Sequence, residues 1–258
     1  MKALHDLGGR IFSIIAVAVF FCAAAGIFRP DLFAQESQAA GDKDVLFYLP
    51  FDGSGVPAIA KGSSEVTLVG KPAFVEGKVG QAAVISHADW FRYKADGNIN
   101  AREGTMEMWV KPVDWNKEDN AFHHFIRIYG GPWSFILYKH SEAASIYFIM
   151  GTEGQSKNTF MAVPMGKNWV PDVWHYVAVT WSDKGVALYI DGQPGGQVPL
   201  GCPPPPEELN KGEIFVGGSY FVANDSKTLI DQLRIYNRAL SPDEITIRFI
   251  SVRYEGLK

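Results

Sequence analysis

Cysteine is almost absent: the chain carries only Cys22 and Cys202. Cys22 lies inside an apolar run near the N-terminus, so a chain cut after that run keeps one thiol and no internal disulfide. Stability then rests on packing. An excess of positive charge is also missing, since 24 Lys and Arg face 28 Asp and Glu and the basic residues are scattered. That excludes the electrostatic footprint of a nucleic-acid binder. The adjacent His123 and His124 point to opposite strand faces, and the other four histidines and two cysteines form no close-spaced set, which argues against zinc. No nucleophile elbow, no phosphate-cradling glycine loop and no internal repeat is visible.

What is present is a globular composition, 47% hydrophobic and 20% charged, long enough to bury a sizeable core. The first residues stand apart. Ile11 to Phe28 runs without a charge between Arg10 and Arg29, a pattern of either a cleaved export signal or a membrane-anchoring helix. Small residues at Ala23, Ala24 and Ala25 offer a cleavage site, while the run is also just long enough to span a bilayer. Val19, Phe20 and Phe21 before Cys22 are too bulky for lipid attachment at that cysteine. The expected organisation is an export segment or anchor over 1–34, a polar tether over 35–43 and a folded body over 44–258. Export, with the body released or held at the envelope, follows, and any membrane contact runs through an uncleaved N-terminus.

Within the body, twelve short apolar runs recur between Gly, Pro, Asn and Asp, from "VLFYLPF" at 45–51 to "LIDQLRIY" at 229–236. Such spacing predicts an all-β sandwich or barrel of antiparallel strands. In "HYVAVTWSDKGVALYIDGQ", His175, Val177, Val179 and Trp181 alternate with Tyr176, Ala178 and Thr180, giving a strand covered on both faces. Asp191-Gly192 reads as a tight hairpin turn. A short C-terminal helix is expected after Ser241, with Pro242 at its first position and Asp243 and Glu244 in its first turn. "CPPPPEE" at 202–208 reads as a stiff loop.

Four segments in order, "GKVGQAAVI" (77–85), "EGTMEMWVKP" (103–112), "WHYVAVTWSDKGVALYIDGQ" (174–193) and "LIDQLRIYNRALSPDEI" (229–245), resemble the bacterial laminin-G-like, or concanavalin A-like lectin/glucanase, domains. The resemblance spans about residues 45 to 250 and implies one jelly-roll sandwich of two antiparallel sheets. That fold hosts binding modules, adhesion modules, hydrolases and lyases, so function has to be argued from a site.

No Glu-x-Asp-x-Glu triplet of the related hydrolases is present. Glu107 is the nearest carboxylate candidate, and it also reads as an ordinary polar strand residue. A lyase needs a base and a cation. Alternation in "FHHFIRIY" places His123 and Arg127 on one face with Tyr129, which reads equally as a polar sheet side. For sugar binding, Trp115, Trp133 and Tyr220 are the expected ring plates, with core packing as the alternative. The resemblance also implies one structural calcium ion, with Asp52, Asp231 and Asp225 as its ligands; simple turn chemistry is the other reading of these aspartates. The family often has two adjacent acids where this chain has Asp231-Gln232. The expected function is a non-catalytic module that recognises a glycan or a surface protein, against a polysaccharide-cleaving enzyme or an adhesive envelope protein.

Overall fold

In a computed structural model of the chain, the residues described are 43–152, 158–218 and 225–255. The N-terminal segment expected to act as export signal or anchor, and Tyr220, lie outside them. The first strands are β1 (Val45–Leu49), β2 (Ile59–Ala60), β3 (Thr67–Val69), β4 (Ala73–Glu76), β5 (Gln81–Ile85) and β6 (Trp90–Lys94). Next come β7 (Gly104–Pro112), β8 (His123–Gly130), β9 (Trp133–Lys139), β10 (Ser145–Thr152) and β11 (Thr159–Pro164). The chain continues through β12 (His175–Ser182), β13 (Gly185–Ile190), β14 (Gln193–Val198), β15 (Glu213–Val216) and β16 (Thr228–Tyr236). Two helices, α1 (Pro206–Leu209) and α2 (Pro242–Glu255), complete the described elements.

The strands form two antiparallel sheets, one of nine strands in the order β14-β13-β12-β7-β16-β1-β2 with β5 and β4 branching from β16, the other of seven in the order β11-β10-β9-β8-β15-β6-β3. This is the all-β sandwich expected. Each of the twelve apolar runs is a strand. The four others are short or exposed, and β14, "QPGGQV", has almost no buried residue, so apolar alternation could not announce it.

The core lies between the sheets because alternate side chains of both point inward. Met106, Met108 and Val110 of β7 and Val177, Val179 and Trp181 of β12 meet Ile126 and Ile128 of β8, Phe135 and Leu137 of β9 and Phe148 of β10. Each large side chain so buried contributes about 1.5–3 kcal/mol.

A second apolar cluster sits on the outer face of the nine-stranded sheet, where Trp109, Tyr176 and Tyr236 meet Ile245, Phe249 and Val252 of α2. Both faces of β12 are therefore covered, which explains its uninterrupted apolar character. Helix α2 starts with a capping box: Ser241 N–H donates to Glu244 at 2.8 Å and Glu244 N–H to the Ser241 hydroxyl at 3.3 Å. Arg238 binds Glu244 at 2.6 Å and Asp44 at 2.7 Å, joining the helix start to the beginning of β1. Asp191 and Gly192, at φ 52° and 74°, form the two-residue turn from β13 to β14.

Candidate functional site

Glu107 projects from β7 onto the outer face of the nine-stranded sheet, directly beneath α2. Its carboxylate accepts hydrogen bonds from Tyr176 Oη at 2.5 Å and Tyr236 Oη at 2.6 Å, with Arg248 of α2 at 3.5 Å and Arg234 at 3.9 Å. Only 2% of the residue is exposed. The expectation of a strand carboxylate open to substrate or solvent is corrected: this one is the buried polar centre of a helix-to-sheet contact.

His123 and Arg127 do not share a face. A bulge in β8 falls between His124 and Ile126, and one extra residue resets the alternation. Phe125, Ile126 and Ile128 thus all enter the core. His123 points inward, stacked on Trp115 at 4.0 Å with Nε2 3.1 Å from Asp119, and burial pushes its pKa down to about 4. Arg127 points outward, its guanidinium 5.3 Å from the Phe215 ring and Nη2 donating to the Gly217 carbonyl at 3.2 Å. The base and cation expected to act together are separated by the thickness of the sheet.

Trp115 is interior rather than a plate. It is 2% exposed, lies 6.3 Å from Trp169, and donates through Nε1 to Thr228 at 2.9 Å. Trp169 in turn stacks on His175 at 4.0 Å, so four rings, His123, Trp115, Trp169 and His175, form one internal pile. Trp133 is 7% exposed and buried as well. Neither indole offers its face to a ligand.

Asp52 and Asp231 both reach the turn between β4 and β5. Asp231 accepts from the N–H groups of Lys78 at 2.7 Å and Val79 at 2.9 Å, and Asp52 from that of Gln81 at 2.8 Å. Gly80, at φ 59°, supplies the left-handed residue the turn needs. Asp225 lies before the start of β16, where Thr228 pairs with Ile85 at the end of β5 away from that turn. The trio expected for calcium is therefore not assembled, and no cluster of three or more His, Cys, Asp or Glu suited to a metal occurs among the described residues. The donors aimed at the two carboxylates on that turn are N–H groups, which compete with a cation for the same oxygens. Asp231 is fully buried, and desolvation raises its pKa to about 6 against the pull of those N–H bonds.

The outer face of the seven-stranded sheet carries what the sequence reading missed. Phe122 just before β8, His140 just after β9, Tyr147 of β10 and Phe160 of β11 follow one another across the line of four strands, at ring separations of 5.0, 4.6 and 5.1 Å. Phe160 is 52% exposed, and the other three are half-buried. His124 and Tyr138 lie against this row, stacked on each other at 5.2 Å and buried. Burial holds the Tyr138 hydroxyl up at about 12 and pushes the His124 imidazole down to about 3, helped there by Arg127. Both side chains are uncharged at neutral pH. The outward positions of β9 to β11 are otherwise Ser134, Ile136, Ser145, Ile149, Gly151, Ala162 and Pro164. Farther along, Arg92, Lys94 and Glu213 form the charged part of the same face. A signal was available: "SFILYKH", "SIYFIMG" and "TFMAVP" each carry at least one aromatic ring, but their pairing was unknown. Where this face meets the sandwich edge, a cleft of about 20 Å³, room for about one water, lies between His87, His123 and His124.

Compared with known proteins, residues 86–246 match the profile of the concanavalin A-like lectin/glucanases superfamily. No curated protein matches the sequence. Among solved structures, the receptor-binding domain of botulinum neurotoxin mosaic serotype C/D superposes with a TM-score of 0.66 at 16% identity, covering 82% of this chain and 51% of that one. The botulinum neurotoxin serotype D ligand-binding domain, solved with N-acetylneuraminic acid, gives 0.65 at 14%, covering 83% and 52%. Domain 4 of an extracellular arabinanase from Geobacillus stearothermophilus, solved with arabinotriose, gives 0.63 at 18%, covering 79% of this chain and 97% of that domain. This chain thus spans about half the length of the toxin domains and nearly all of the arabinanase domain.

Proposed function

The chain belongs to the concanavalin A-like lectin/glucanases superfamily, and on that premise we propose that it is an exported, non-catalytic recognition module that binds carbohydrate on the outer face of its seven-stranded sheet. The carrying observation is the row of partly exposed rings from Phe122 to Phe160. Sugars present apolar C–H faces that stack on aromatic rings, while hydroxyls such as those of Tyr147, Ser134 and Ser145 can bond the sugar's own hydroxyls. The sugar-bound neurotoxin and arabinanase domains of the same fold support this reading. Neither catalytic set expected of a cleaving enzyme is in place, with Glu107 covered by α2 and His123 and Arg127 on opposite faces. Export is supported by the uncharged run at 11–28, and the folded body is taken to work outside the cytoplasm, released or held by that segment.

The test is isothermal titration of the folded body against neutral, sialylated and uronate-containing soluble glycans, alongside the double variant Y147A/F160A. At least one glycan binds the native protein, and the double variant loses that binding by about tenfold or more while keeping its melting temperature. Binding of no glycan, or equal binding by the double variant, overturns the proposal. A surface protein captured through the same rings would then take the glycan's place.

A further inference from the structure

The geometry of the ring row goes further than carbohydrate in general. Resting on the reading that this face binds glycan, we infer that its ligand is a single soluble, uncharged, linear polysaccharide chain that crosses the strands and is held at several consecutive sugar units.

Length is the first argument. The row takes three steps between four strands, about 14 Å at the ordinary strand spacing, which is longer than one sugar ring. It runs to β11, the last strand of its sheet, where Phe160 is 52% exposed. A chain can therefore continue past the rings, as an internal stretch of polymer must. A site for a terminal sugar would instead be closed around one ring.

Ring orientation is the second. Phe122 and His140 meet at 71°, and Tyr147 and Phe160 at 65°. Rings set so steeply to one another cannot lie together on a flat crystalline polysaccharide. They suit sugar units that are rotated along a free chain, each unit meeting one ring.

Charge is the third. Among the described residues, the outward positions of β9, β10 and β11 carry no Asp, Glu, Lys or Arg, and burial keeps His124 neutral at physiological pH. On β8 the outward Arg127 is only 2% exposed and donates to the Gly217 carbonyl at 3.2 Å, so a uronate or sulfate would find no exposed counter-charge along the row. Arg92 and Lys94 lie on β6 and already share Glu213 at 3.8 and 3.0 Å.

Titration with neutral gluco-, manno- and arabino-oligosaccharides from monosaccharide to hexasaccharide tests this, with microcrystalline cellulose, chitin and polygalacturonate as comparators. One neutral series gains about tenfold or more in affinity between disaccharide and tetrasaccharide and then levels off. F160A removes most of that gain, and thermal melts establish that the variant is folded. A monosaccharide that binds as tightly as the hexasaccharide, or binding confined to crystalline or anionic polymers, overturns the inference and leaves the glycan-binding reading standing. Absence of binding to every glycan removes both.

Discussion

Replacing Glu107 separates a structural carboxylate from a catalytic one. Two tyrosine hydroxyls donate to it at 2.5 and 2.6 Å, and Arg248 reaches it from α2. Hydrogen bonds to a charged group contribute about 1.5–3 kcal/mol each, and removing one partner of a buried ion pair costs about 3–5 kcal/mol because the other charge is stranded. These contributions overlap, so E107A should lose about 4 kcal/mol. At about 2–4 °C per kcal/mol for a domain of this size, its melting temperature should fall by roughly 8–16 °C. E107Q retains the shape and one carbonyl acceptor and should lose about half as much. Urea and thermal unfolding of both variants measure the loss, and a double-mutant cycle with Y236F should return a coupling of about 1 kcal/mol or more. If E107A unfolds within about 1 kcal/mol of the native protein, the clamp is not holding α2 to the sheet. Loss of a polysaccharide-cleaving activity without loss of stability would show the carboxylate to be catalytic.

Stability should fall as the pH drops from about 6.5 toward 4, followed by chemical denaturation, because buried His123 and His124 titrate near 4 and 3 when folded and near 6.5 when unfolded. The unfolded chain binds more protons over that window, so acid favours it, by on the order of 3 kcal/mol per histidine for shifts of this size. H124F should flatten the slope, and an unchanged slope would refute the assignment. Asp231 works the other way: its folded pKa of about 6 exceeds the unfolded value, so its ionisation costs stability as pH rises from about 4 to 6. D231N should therefore remove that opposing contribution and steepen the loss on acidification. W115A should cost about 3–5 kcal/mol by opening a cavity between His123 and Trp169, whereas F160A, at an exposed position, should change stability by less than about 1 kcal/mol in the same unfolding assay. Calcium and chelator should leave the melting temperature unchanged, since the carboxylates of Asp52 and Asp231 face N–H donors of the 77–81 turn; a calcium-dependent rise would restore them as metal ligands.

The sequence by itself determined twelve of the sixteen described strands, the turn at Asp191-Gly192 and the start of α2, because apolar runs, a residue pair that tolerates positive φ and a Ser-Pro-Asp-Glu helix start are all written within a few neighbouring residues. It also determined that β12 is covered on both sides. What only the tertiary structure decided is which side chains end up together. The bulge after His124 resets parity and parts His123 from Arg127, and nothing in "FHHFIRIY" announces it. Glu107 became a buried clamp because a helix more than a hundred residues later folds over it. Trp115, beside polar turn residues in sequence, became core because Trp169 and His123 close around it. The ring row arose from β8 to β11 laid side by side: alternation fixes which residues of one strand travel together, while pairing and register fix which rings of different strands meet.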